Sequence, residues 1–297
     1  MSPPFLDGYA GYAERRNREQ PALSGARPMV SIVTVALNAA TTIERTIRSV
    51  QAQGFPDIEH VFVDGNSTDG TLDVIRALAR PQDYWIAEDD HGISDAFNKG
   101  IAMARGRFIK ILNGDDWLSF DQVERAVETI RESGHDFAFG DLIFYDVDEP
   151  IFRSVGDPGY QRVIHRRMPA IGHPSVLASR ECFERIGLFD PAYRRAMDYD
   201  WLLRLHLAGG RGQYDPSIVG HMTHAGVSNR EFQDTIGEVK RIAIAHGRSP
   251  LLAGAEAGFR RVKTAASLPI KRHARPLYHL VRGLLNSSYK PVRQTAR

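Results

Sequence analysis

The sequence predicts an α/β fold, a mostly parallel sheet flanked by helices. Three observations predict it. Short apolar runs alternate with stretches of helical periodicity from Val30 to Ser133, and strands alternating with helices of about 10–15 residues build parallel sheets covered on both faces. Polar loops follow the first four runs, and ligands of open α/β sheets bind outside the carboxyl ends of the strands. The composition is ordinary for a globular chain: 297 residues with 42% hydrophobic and 25% charged, which excludes collagen-like, low-complexity and largely disordered classes.

The elements follow in order. Residues 1–28 are polar with scattered proline and glycine and predict a loose arm or a short helix ending at Pro28. Val30 to Val35 is short, apolar and β-branched, a buried strand. Thr41 or Thr42 can cap the next helix, whose buried face is Ile43, Ile47 and Val50. His60 to Asp64 is a second strand, Gly65 to Gly70 a turn, and Thr71 to Ala79 a helix. Tyr84 to Ile86 is a short third strand, and Ile93, Phe97, Ile101 and Ala104 mark another helix face. Arg107 to Leu112 is a fourth strand, followed by a helix from Asp121 to Ser133 and strand material from Phe137 to Val147. Residues 150–178 show no clear period. Helices return at Ser179 to Ile186 and Asp198 to Ala208. The expected division is an arm at 1–28, a catalytic domain at 29–225 (halves 29–116 and 117–225), and a basic helical extension at 226–297.

Net charge is +2, yet residues 240–297 hold 13 Lys/Arg against one acid, Glu256, leaving 25 Lys/Arg against 35 Asp/Glu elsewhere. In the tail, Leu277, Leu280, Val281, Leu284 and Leu285 form an apolar stripe among basic residues. Such a segment suits an anionic bilayer surface or packs back on the core. Nucleic acid is the least favoured partner, because aromatic residues do not interleave regularly with the basic ones. One cysteine, Cys182, makes no intrachain disulfide. With no signal-like start and no spanning-length apolar run, the expected location is cytoplasmic, either soluble or peripheral on the inner membrane face.

Several residues carry candidate chemistry. Asp115 and Asp116 are adjacent carboxylates at a strand end. They either cap a turn or hold a hard divalent cation against a phosphate. Asp64 ends a buried strand, and either satisfies turn amides or accepts from a nucleobase imide. Asp198 and Asp200 open a helix, where the macrodipole stabilises carboxylates; one of them could serve as a proton acceptor. His173 sits in an extended, unpatterned segment, and lone histidines are commonly structural.

In order along the chain, Ser31-Ile32-Val33-Thr34 with Asn38, Val63 to Thr71, Gly92 to Ile101, Leu112-Asn113-Gly114-Asp115-Asp116, Gly172-His173-Pro174-Ser175, Arg185 to Asp190 and Asp198-Tyr199-Asp200 resemble the motifs of family 2 glycosyltransferases. The likeness spans about residues 29–225. It implies a GT-A fold and an inverting hexosyl- or N-acetylhexosaminyltransferase of cell-surface polysaccharide biosynthesis. It also implies a nucleotide-sugar donor, expected to be a UDP-sugar, a divalent metal (Mn2+ or Mg2+), and a glycan or lipid-linked acceptor. By position, Thr34, Asn38 and Asp64 would line the nucleoside pocket. Asp95 and Lys99 would lie near the base and diphosphate. Asp115 would approach the ribose and metal, Asp116 would bind the metal, and Asp198 would be the catalytic base. His173 and Asp200 would fall on the acceptor side. The chain departs from the family pattern at Gly65 and Asn113, where aspartate is frequent, and at Met197, where glutamate commonly precedes the base. A sugar nucleotidyltransferase is the competing enzyme class, but its Gly-rich phosphate loop is replaced here by Ala36-Leu37-Asn38-Ala39-Ala40. A non-catalytic binding module would not need Asp198 together with Asp115 and Asp116.

Overall fold

The computed structural model describes residues 6–20, 27–223, 232–273 and 289–291. Its elements are α1 (Ala10–Glu19), β1 (Val30–Ala36), α2 (Ile43–Gln51), β2 (Ile58–Asp64), α3 (Thr71–Leu78), β3 (Tyr84–Ala87), α4 (Ile93–Met103), β4 (Phe108–Asn113), β5 (Trp117–Leu118), α5 (Gln122–Ser133), β6 (Phe137–Asp146) and β7 (Glu149–Ser154). There follow β8 (Leu177–Ser179), α6 (Arg180–Ile186), α7 (Met197–Leu207), β9 (Gly212–Thr223), α8 (Phe232–Ala245), α9 (Pro250–His273) and β10 (Tyr289–Pro291).

The sheet runs β10-β7-β6-β8-β4-β1-β2-β3. It is parallel from β4 through β1 and β2 to β3 and mixed beyond, where β8, β7 and β10 pair antiparallel while β9 runs parallel to β6. Every residue of β1 and β2 is buried, which is why the predicted strands were apolar runs rather than alternating ones. On one face α4 lies close because Gly100 has no side chain: a Cβ there would come within 2.2 Å of Val33 Cγ1. The parallel strands all end on one edge, and their loops carry Asn38, Asp64, Asp90 and Asp115–Asp116.

The N-terminal segment is an integral part of the domain. Its helix α1 buries Arg16, which donates to Glu59 Oε2 at 2.6 Å and to the Met103 carbonyl at 2.7 Å. Glu59 also accepts from Ser31 and from the Arg105 backbone N–H. A charge pair this deep is costly to break, about 3–5 kcal/mol when one partner is removed, so α1 is pinned rather than loose. At the other end, α8 packs on α7, and β10 extends the sheet through β7, with Tyr289 stacked on Phe152 at 4.5 Å between centroids. The predicted stripe from Leu277 to Leu285 lies outside the described residues. Among the described residues, no helix is long and apolar enough to cross a membrane.

Candidate active site

The Asn113–Asp116 turn is held from beneath by α2. Thr46 Oγ1 donates to the carbonyls of Gly114 and Asp116 (3.1 and 2.7 Å), and Thr42 Oγ1 donates to that of Gly114 (2.9 Å). Asp116, only 1% exposed, accepts from the Asn113 amide at 3.1 Å and from the Thr223 backbone N–H at 3.2 Å. Asn113 thus orients Asp116, which a carboxylate at that position could not do by donation. Burial and the neighbouring charge of Asp116 push the Asp115 carboxyl up to about 6. The turn is therefore short of positive charge.

Two adjacent acids with spare lone pairs fit a hard divalent cation, which takes one or two carboxylates and completes its shell with phosphate and water. Among the described residues, no group of three or more His, Cys, Asp or Glu side chains forms a ready-made cage.

His173 Nε2 lies 3.5 Å from Asp116 Oδ2. The turn that carries His173 is fixed by Lys110 of β4, whose buried Nζ donates to the carbonyls of Pro174 and Val176 at 2.7 and 3.1 Å. Burial lowers that ammonium to about 7. On its other side His173 lines a cavity of about 30 Å³ whose wall includes Ile109, Ile111, Phe189, Trp201 and Asp198. The two carboxylate sites, 82 positions apart in sequence, thus meet around one histidine.

Asp198 stands in the first turn of α7. Its Oδ1 accepts from the Tyr199 backbone N–H at 2.8 Å. Burial raises its pKa above the ordinary carboxylate range, while the nearby His173 works in the opposite direction. The N-terminal approach to α7 is gathered by a residue the sequence did not flag. Glu238 of α8 accepts the backbone N–H groups of Arg194, Arg195 and Ala196 at 3.1, 2.8 and 2.9 Å. Its charge also raises the Asp198 pKa. A carboxylate absent at position 197 is thus supplied near Asp198 from α8.

Glu238→Gln removes that charge and replaces one acceptor oxygen with a donor. The expected outcome is a lower kcat with the acidic limb of its pH profile moved to lower pH. The sign follows from the base acting only when ionised: a neighbour that raises its pKa pushes the limb up, and removing it lets the limb fall. An unshifted limb in the kcat–pH profile would leave Glu238 a purely structural cap.

The loop side of the cleft is built across strands. Asn38, exposed and at φ 51°, accepts from the Thr68 N–H at 3.0 Å, while its own N–H donates to Ser67 Oγ at 2.9 Å. Asp64 is buried and accepts from the Ser67 N–H and hydroxyl, so it organises the turn. Beside it, a Cβ at Gly65 would sit 2.7 Å from Asp90 Oδ2. The half-buried Asp90 carboxylate therefore fills the space where a side chain at position 65 would stand. Asp90 is itself braced by the Gly92 N–H at 2.8 Å.

Four of the sequence candidates make contacts within the fold. Thr34 is fully buried mid-strand with its hydroxyl on His60 Nε2 at 2.7 Å. Asp95 accepts from the Tyr9 hydroxyl and the His91 N–H. Lys99 donates to the Asp89 carbonyl at 2.7 Å and pairs with Glu88 and Asp95. Both make these contacts under the β3–α4 loop, against α1 and the residue that precedes it. Asp200 gives both oxygens to Arg204 and His246 at 2.8 and 3.0 Å and ties α7 to the extension rather than facing an acceptor. A helix repeats every 3.6 residues, so position 200 lies about 200° around α7 from position 198.

Residues 31–186 match the family model of Glycosyl transferase family 2. The chain is 32% identical over 249 residues to the succinoglycan biosynthesis protein ExoO of Rhizobium meliloti, covering 79% of this chain and 69% of that one. Among solved structures it resembles S. aureus TarS 1–349 in complex with UDP-GlcNAc, with a TM-score of 0.58 and 16% identity over 77% of this chain and 70% of that one; it spans 41% of a longer TarS chain. It also resembles the mannosyltransferase PcManGT of Pyrobaculum calidifontis in complex with GDP-Man and Mn2+, with a TM-score of 0.57 and 18% identity over 95% of this chain and 84% of that one. The architecture common to these structures is GT-A.

Proposed function

The chain belongs to glycosyl transferase family 2, and from that premise we propose that it is an inverting, divalent-cation-assisted transferase of surface-polysaccharide assembly. The donor is a nucleoside diphosphate sugar, foremost a UDP-sugar, and the acceptor a glycan or lipid-linked hydroxyl met at the inner membrane face. The observation that carries the reading is the place of His173, which stands 3.5 Å from Asp116 and lines the same cavity as Asp198. The names of ExoO, TarS and PcManGT support the pathway, nucleotide-sugar and cation parts of it.

In this reading Asp198 takes the proton of the acceptor hydroxyl as that oxygen bonds to the sugar C1. The C1–oxygen bond to the diphosphate breaks on the opposite face, its electron pair leaves with the diphosphate, and the anomeric configuration inverts. General-base assistance of this kind is worth about 10²–10⁴-fold. A divalent cation, when bound, offsets negative charge on the leaving diphosphate as a Lewis acid, and Asp115 and Asp116 are the residues that would hold it. The surrounding wall of Ile109, Ile111, Phe189 and Trp201 gives the base an apolar setting.

Asp90 sets the base preference. A carboxylate accepts from the imide N–H of uracil or the N1–H and amino group of guanine, whereas the corresponding edges of adenine and cytosine present an acceptor nitrogen. Binding to the folded state raises apparent stability by mass action, so a thermal-shift series of nucleoside diphosphates with Mn2+ or Mg2+, and with chelator, tests this directly. UDP is expected to stabilise most and ADP and CDP least, with sugar release from the preferred donor in the same mixture. Asp90→Ala is expected to retain the fold and flatten the ranking. A preference for ADP or CDP, or an unchanged ranking in the variant, would remove Asp90 from this role. Stabilisation without any donor turnover would point to a binding module.

A further inference from the structure

We propose that the outward face of α9 is a docking surface for an anionic lipid bilayer. Leu251, Leu252, Phe259 and Val262 are between 55% and 86% exposed. They account for four of the eight large exposed apolar side chains recorded among the described residues, and they fall within twelve consecutive positions. At 100° per residue, 251, 255, 259 and 262 share one side of the helix, with 252 at its margin. The opposite side carries the buried Ala253 and Ala257 and faces α8, its closest packing partner. The core contact of α9 is thus already made by small residues, and its large apolar ones point to water.

An exposed apolar face of this kind marks an interaction site, and the charge of the chain selects the partner. Residues 240–297 carry 13 Lys/Arg and a single acid, Glu256, which is engaged by Arg248. Arg261, exposed on the same stretch of helix, lies about 80° around from Leu251, between the apolar side and the packed one. The rest of the chain carries ten more acids than bases. A negative surface therefore attracts residues 240–297 and repels the acidic remainder of the chain. Insertion of the apolar side chains and attraction of the basic ones supply the two signals that a stable peripheral contact requires. The surface gives a location to the membrane-proximal acceptor of the proposed function and rests on that reading for its purpose.

The test is co-sedimentation of the full chain with vesicles of phosphatidylcholine alone or mixed with phosphatidylglycerol, at low and high salt, without donor or acceptor. The expected result is binding to the phosphatidylglycerol vesicles only, weakened by salt. The triple variant L251Q/F259Q/V262Q should bind at least about tenfold more weakly, with an unchanged circular dichroism melt and undiminished transfer to a water-soluble acceptor. Failure of the full chain to bind at low salt would overturn the proposal. So would equal binding by the triple variant, or a dimer in light scattering that the variant dissociates without change in vesicle binding. Vesicle binding that persists in a chain inactive on every donor would instead count against the transferase reading and leave the surface standing.

Discussion

Asp198→Asn is expected to lower transfer by about 10²–10⁴-fold while nucleoside diphosphate affinity stays near that of the parent. The amide is isosteric, and its oxygen can accept the Tyr199 N–H that Oδ1 now takes at 2.8 Å. It cannot take a proton from an acceptor hydroxyl. The same change has a predictable effect on stability. Burial raises the Asp198 pKa in the folded state, so the folded chain binds this proton more tightly than the unfolded chain does. As pH rises through the unfolded value and then the folded one, the ionised group costs folding free energy, and the cost persists at neutral pH. Asparagine carries no charge to desolvate, so the variant should melt no earlier than the parent at pH 7. Loss of activity with equal or higher Tm separates a functional carboxylate from a structural one. Near-normal turnover would remove Asp198 as the base. In the parent, the same raised pKa places the acidic limb of the kcat–pH profile above the usual carboxylate range.

The parallel half of the sheet was legible because its strands are buried on both faces, so Val30–Ala36 and Ile58–Asp64 appear as unbroken apolar runs. In the second half only β6 (Phe137–Asp146) was legible as a strand. In β9, buried Gly212, Ile218 and Gly220 alternate with polar and half-exposed residues, and two-sided polarity in a strand resembles a loop. The β6–β7 hairpin is joined by Val147 and Asp148, with Val147 at φ 58°. No glycine or asparagine announces that turn. Helix α1 reads as a charged solvent helix until Glu59 appears opposite Arg16.

At the candidate site, Asp115, Asp116 and Asp198 were legible as acids at a strand end and a helix start, positions that serve a turn or a cap as well as chemistry. Their second partners were not, because each depends on a contact between distant elements. Glu238 reaches the approach to α7 from α8, and Asp90 fills a space defined by the absence of a side chain at Gly65. Conversely, Asp95, Lys99 and Asp200 carry the right chemistry in the right motif, yet their charges are consumed by Tyr9, Glu88, Arg204 and His246. A motif fixes which groups are near the cleft; the neighbours decide which are left free to act.

Asp116→Ala should abolish the part of donor binding that depends on a divalent cation. The parent is expected to be stabilised by its nucleoside diphosphate more in Mn2+ or Mg2+ than in chelator; a ligand at about 100 times its Kd adds about 2.7 kcal/mol to folding. In the variant the two conditions should give the same, smaller shift. Two opposing effects act on the unliganded fold. The Thr223 N–H and the Asn113 amide lose their acceptor, and each buried group left unsatisfied costs about 1–3 kcal/mol. Against that, Asp115 loses the like charge that helps to hold its carboxyl at about 6. The unpaired donors outweigh a repulsion that water partly screens at half-exposed Asp115, so the apo Tm should fall. Asp116→Asn separates the two roles, because its amide oxygen can keep the Thr223 contact while the charge is gone. It should recover most of the lost Tm and none of the cation dependence. A cation-dependent shift that survives in both variants would mean that the ion is held elsewhere, and that the adjacent acids serve only to shape the turn.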